Sequence, residues 1–68
     1  MGLRELREDR VLTQKELAAK ANVSNKTIVG IETGRAWPHQ TTIRKLAVAL
    51  GMGPRELARE LRRDFDRG

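Results

Sequence analysis

Apolar residues occur in five short clusters at helical spacing, each separated from the next by polar or turn-forming residues. Leu3 and Leu6 open the chain, with Val11 a third candidate of the same stripe. Leu12 and Leu17 follow, then Ile28 and Ile31, then Ile43, Leu46, Ala47 and Leu50 at i, i+3, i+4, i+7. Leu57, Leu61 and Phe65 form a last stripe at i, i+4, i+8. Apolar residues recurring every three or four positions mark one buried face of an α-helix, whereas strands alternate with period two. No alternating stretch is present, so the pattern predicts an all-α fold of five helices with short connections.

Turn and cap residues set the boundaries. The first helix is expected from about Leu3 to Arg10. Thr13 and Glu16 have the spacing of a capping box, in which hydroxyl and carboxylate each take the other residue's backbone N–H, and Leu12 and Leu17 can close a hydrophobic staple around it. The second helix is therefore expected over Gln14 to about Ala21. Asn22 tolerates positive φ and permits a sharp turn. Ser24 is the next N-cap, with Val23 and Ile28 at staple spacing, and the third helix is expected from Asn25 to Thr33 with Gly34 as its stop. Two short helices joined by about three residues have helix-turn-helix geometry, here over about residues 13–34. Arg35 to Gln40, containing Trp37-Pro38, reads as a loop, since a proline disfavours helical backbone in the residue before it. A fourth helix is expected from about Thr41 to Leu50 and a fifth over about 54–65, with Pro54 at its first position. No linker or repeat divides the chain, so residues 1–68 read as one domain.

Composition narrows the chemistry. The 68 residues include no Cys and a single His39, which argues against disulfides, thiol nucleophiles and a metal site, and makes an enzyme a poor expectation. The expectation is accordingly no metal and no cofactor. No apolar run approaches the roughly 20 residues of a membrane span, and the start Met1-Gly2-Leu3-Arg4-Glu5 lacks a signal-peptide apolar region. A cytoplasmic protein without membrane contact is expected. The net charge is +5, and its distribution is informative. Residues 13–45 carry six bases against Glu16 and Glu32, while residues 1–12 are neutral and the remainder carries a single positive excess. The excess therefore sits in the middle of the chain.

On a helical projection of about 100° per residue, Ile28 and Ile31 point one way and Asn25, Lys26, Val29, Gly30 and Thr33 the other. Such an outer face suits a DNA major groove, where Asn pairs with adenine, Lys donates to guanine and Val touches a thymine methyl. Gly30 has two readings: a bare position that brings the helix closer to DNA, or a structural one, either close internal packing or simple tolerance of glycine. Trp37 has three: packing under the fourth helix, pressing on a sugar-phosphate backbone, or joining a subunit contact. His39 reads as a surface residue or a phosphate donor. Leu61 and Phe65 read as a possible dimer contact, the alternative being a frayed tail with an exposed Phe.

The stretch Thr13-Gln14-Lys15-Glu16-Leu17-Ala18, then Ala21-Asn22-Val23-Ser24, then Thr27-Ile28-Val29-Gly30-Ile31-Glu32-Thr33-Gly34-Arg35, resembles the lambda-repressor and Cro type (XRE-like) of helix-turn-helix transcriptional regulators. Pro38, Thr42, Leu46, Ala47, Ala49, Leu50 and Gly51 extend the likeness into the fourth helix, so that it covers residues 3 to about 61. The resemblance implies a compact five-helix lambda-repressor-like domain. It implies base reading by Ser24, Asn25, Lys26 and Gly30, to which the projection adds Val29, and phosphate contacts from Gln14, Thr33 and Arg35. Arg7 and Glu32 match a structural pair tying the first helix to the third. Two positions depart from the family pattern: Val11 stands where relatives usually have Gly, and His39, a mediocre N-cap, replaces a small polar residue.

The expected function is a sequence-specific regulator of transcription, a repressor that binds double-stranded DNA at an inverted-repeat operator as a homodimer. The alternative is a protein-interaction module of the same fold, such as the antitoxin that binds a toxin or a bridge to other regulatory proteins.

Overall fold

A computed structural model describes residues 2–67, the side chains of Asp64, Asp66 and Arg67 excepted. Among these residues the regular structure is entirely helical: α1 (Leu3–Asp9), α2 (Gln14–Ala21), α3 (Asn25–Glu32), α4 (Gln40–Leu50) and α5 (Pro54–Arg67). The capping box at the start of α2 is complete, with Glu16 N–H donating to Thr13 Oγ1 at 3.0 Å and Thr13 N–H to Glu16 Oε1 at 2.8 Å. The Ser24 hydroxyl caps α3 by accepting the Thr27 N–H at 3.1 Å. His39 precedes α4 without a side-chain cap, and that helix starts at Gln40, one residue before the expected Thr41. Thr33 lies beyond the end of α3, Arg10 beyond the end of α1, and α5 continues to Arg67 rather than about residue 65.

Four of the helices stop by the same device. Each is followed by one residue of left-handed backbone: Val11 (φ 54°) after α1, Asn22 (φ 57°) after α2, Gly34 (φ 73°) after α3 and Gly51 (φ 71°) after α4. In every case the next N–H reaches back to the carbonyl five residues earlier, as Leu12 to Arg7 (3.2 Å), Val23 to Ala18 (2.9 Å), Arg35 to Gly30 (3.0 Å) and Met52 to Ala47 (3.0 Å). This Schellman arrangement satisfies carbonyls that the helix end would otherwise leave without donors. Glycine and asparagine fill three of the positions at little steric cost. The fourth holds a β-branched valine. Val11 is not a core point of α1 as the stripe had indicated: its turn carries it outward, and it is 87% exposed.

All five helices contribute to one core. Leu3, Leu17, Ile28, Leu46, Leu57 and Leu61 are almost wholly buried, each burial worth about 1.5–3 kcal/mol. α2 packs against both α3 and α4, α4 against α5, and α1 against α3, in a body of 27 × 22 × 22 Å. Arg10 ties the far ends together. Its Nε donates to the Leu50 carbonyl at the end of α4 (2.7 Å) and its guanidinium also reaches the Leu6 carbonyl (2.8 Å). A cation at a helix C-terminus meets both the open carbonyls and the negative end of the helix dipole. Leu61 is only 1% exposed. The expectation that it meets a second subunit is therefore corrected: the domain's own core has taken its whole surface. No helix among the described residues is long and apolar enough to cross a membrane.

Candidate nucleic-acid interface

Ile28 and Ile31 anchor α3 in the core and so turn its opposite face outward. On that face Asn25 and Lys26 are exposed, Val29 lies at the border of exposure and Gly30 is half-buried. The side chains of Asn25 and Lys26 have no hydrogen-bond or ion-pair partner among the described residues, so their donors point to solvent unspent. Ser24 is differently placed. Its Oγ accepts the Thr27 N–H and lies 2.8 Å from Thr27 Oγ1, so the cap occupies much of its capacity. Thr33 Oγ1 donates back to the Val29 carbonyl at 2.8 Å. At Gly30 an added Cβ would meet only Ala36 Cβ, at the ordinary contact distance of 3.8 Å. Internal packing therefore does not require glycine there, which leaves the close approach to DNA and simple tolerance as its readings.

Two hollows flank α3. One, about 520 Å³, lies at the start of α2 and is lined by Arg4, Arg7, Thr13, Gln14, Glu32 and Thr33. The other, about 500 Å³, lies between α3 and the loop that follows it. Its walls include Lys26, Gly30, Thr33, Arg35, Trp37 and His39. The residues expected to hold phosphate are thereby divided: Gln14 belongs to the first hollow, Arg35 to the second, and Thr33 to both. Arg35 has no side-chain partner among the described residues.

The position of α3 is held by a partly buried polar network. Arg7 Nε donates to Glu32 Oε2 at 2.6 Å and an Arg7 terminal nitrogen to Glu32 Oε1 at 3.2 Å, a two-pronged pair across 25 residues. The same guanidinium reaches the Leu12 carbonyl at 2.8 Å, and Gln14 Nε2 donates to Glu32 Oε1 at 3.0 Å. Arg7 and Glu32 are 11% and 4% exposed at the side chain. The hydrogen bonds to Glu32 raise the Arg7 pKa above its ordinary value despite burial, so the guanidinium stays charged. One carboxylate thus joins α1, α2 and α3, and no buried side-chain polar atom among the described residues lacks a partner.

Several of these roles were not visible in the spacing of residues. Gln14 is shared between the hollow it lines and the network behind it. Arg4, Thr42 and His39 line the hollows although only His39 had been considered. Trp37 packs against α5: its ring lies 5.1 Å from that of Phe65 in a T-shaped arrangement, and it remains 42% exposed. Phe65 is half-buried by that contact and is no free tail residue. Among the described residues no cluster of His, Asp and Glu is arranged to hold a metal ion.

The chain is 44% identical over 51 residues to multiprotein-bridging factor 1 of Candida albicans, and 42% identical over 51 residues to the protein of that name from Debaryomyces hansenii. Each alignment takes in 75% of this chain and 34% of the relative, so the chain spans about a third of their length. It is 41% identical over 49 residues to an uncharacterised HTH-type transcriptional regulator of Methanothermobacter thermautotrophicus, with 72% of this chain and 71% of that protein aligned. No solved structure matches the chain. The model of the helix-turn-helix family matches residues 3–57, from the start of α1 into α5. With α2, a three-residue turn and an outward-facing α3 in place, the chain belongs to the helix-turn-helix family, a family of DNA-binding proteins.

Proposed function

We propose that this domain is a sequence-specific regulator of transcription that reads double-stranded DNA through α3 laid in the major groove. The observation that carries the reading is the outer face of α3, with two unspent polar side chains and a bare Gly30, set between two hollows with basic residues on their walls. A major groove is bordered by two phosphate strands, and contacts to those strands position a protein while base edges specify its sequence. In this reading Asn25 and Lys26 are the principal base readers, with Val29 and Gly30 closing on the groove floor and Ser24 contributing at the helix start. Gln14 and Arg35 hold the two strands, Thr33 lies at the junction, and the Arg7–Glu32 pair fixes the angle of α3.

One reading helix covers one half-site. Repression through an inverted repeat with two copies about 34 Å apart follows as the binding mode. Selection of bound duplexes from a random pool at near-physiological salt tests this. Enrichment of an inverted repeat is the expected result, and enrichment of no sequence overturns it.

The bridging-factor name of two relatives favours a second reading, a protein-interaction role for a surface other than α3. Retention of a protein partner by a domain that selects no DNA sequence would make that role primary.

A further inference from the structure

A groove of about 410 Å³ runs between α4 and α5, on a surface whose lining shares only Trp37 with the hollow beside α3. Arg44, Arg55 and Arg62 line it, together with the edge of Ile43, a core residue, and the half-buried Ala58, which packs against the core. The Arg62 guanidinium carbon lies 6.0 Å from the centre of the Trp37 ring. None of the three arginines makes an ion pair or hydrogen bond to a described residue, in contrast to Arg7, Arg10 and Arg63. Arg55 is moreover the second residue of α5, where the helix dipole already supplies positive partial charge and an acidic residue is the favourable choice.

We infer that this groove docks an acidic segment of a partner protein, one that carries a leucine- or phenylalanine-sized side chain between carboxylates. Each guanidinium offers a planar fork matched to a carboxylate. The apolar floor takes up the side chain between them. A DNA strand satisfies the charge but has no apolar side chain to enter the floor. The inference stands independently of base reading by α3, because it uses none of that helix's residues.

The test is calorimetric titration of the full chain with the acetylated peptide Asp-Glu-Leu-Asp-Asp-Leu-Glu-Asp, with its serine-for-leucine counterpart, with inorganic phosphate, and with a DNA duplex. Arg55→Glu and Arg62→Glu replace exposed side chains, and their helical circular dichroism and melting verify that both fold. Each is expected to weaken the leucine peptide about fivefold or more, the scale of reversing one exposed ion pair, while duplex affinity stays within about twofold. The serine peptide is expected to bind as weakly as the variants do. Three results would overturn the inference: no heat with the leucine peptide, undiminished binding in both variants, or an equal loss of duplex binding, which would assign the groove to the phosphate backbone. Failure of duplex binding by the unaltered chain, with the peptide still bound, would count against the reading of α3 and leave the groove standing.

Discussion

Replacing Val11 with glycine should make the domain more stable, although it deletes an apolar side chain. Val11 adopts φ 54°, and the bond from Leu12 N–H back to the Arg7 carbonyl (3.2 Å) needs that left-handed backbone. An L-residue there costs roughly 1–2 kcal/mol, and a β-branched one belongs at the upper end of that range. The side chain is 87% exposed, so little burial is lost with it. Against the gain stands the greater freedom of glycine in the unfolded chain, about 0.4–1 kcal/mol. The difference is a stabilisation of about 1 kcal/mol, or roughly 4–8 °C in Tm for a domain of this size. Val48 supplies the control. It is 82% exposed within α4, so Val48→Gly removes the same atoms from helical backbone and should cost a few tenths of a kcal/mol, up to about 0.5. Thermal and urea unfolding followed by circular dichroism measure both. A Val11→Gly melt at or below that of the parent chain would refute the account of strain in this turn.

Glu32→Ala should destabilise by about 1.5–3 kcal/mol, since it removes the charged acceptor shared by the partly buried Arg7 and Gln14; in urea titration a loss under about 1 kcal/mol would show that the network is not holding α3. Gly30→Ala should have opposite effects in two assays. It raises the melting temperature, because alanine is better in a helix by up to about 1 kcal/mol and its Cβ meets only Ala36, yet it weakens duplex binding in a mobility-shift titration. Lys26→Ala should cost about 1–3 kcal/mol on the selected site and relax one base position, whereas Arg35→Ala should weaken all duplexes alike and reduce the salt slope by about 1. Equal losses on selected and random DNA from both substitutions would remove base reading from Lys26.

Legibility in the sequence followed distance along the chain. The caps at Thr13 and Ser24 and the stripe from Ile43 to Leu50 could be read because their partners lie three to seven residues away and backbone geometry alone brings them together. Val11 could be flagged as the wrong residue for its turn, but the turn kept the left-handed form because the helix-end and network bonds around Arg7 and Leu12 outweigh one strained residue. Arg10 to Leu50 and Trp37 to Phe65 are contacts across 40 and 28 positions. They depend on how α1, α4 and α5 pack, which no local pattern encodes. Leu61 shows the same limit from the other side: helical spacing placed it on a stripe, and only the assembled core showed that nothing of that stripe at Leu61 was left over. Of the interface, the outward face of α3 was legible from periodicity, whereas the hollows beside it were not, since each is walled by separate elements.

Trp37 has one further consequence. The chain contains a single tryptophan and no tyrosine, so nearly all its near-ultraviolet absorption and emission come from one indole. That indole stands at the seam between the hollow beside α3 and the groove between α4 and α5, with a guanidinium near its ring and the Phe65 ring set perpendicular to it. The domain thus contains its own optical label, placed where the colour and brightness of a single chromophore register events on two neighbouring surfaces without a dye being attached.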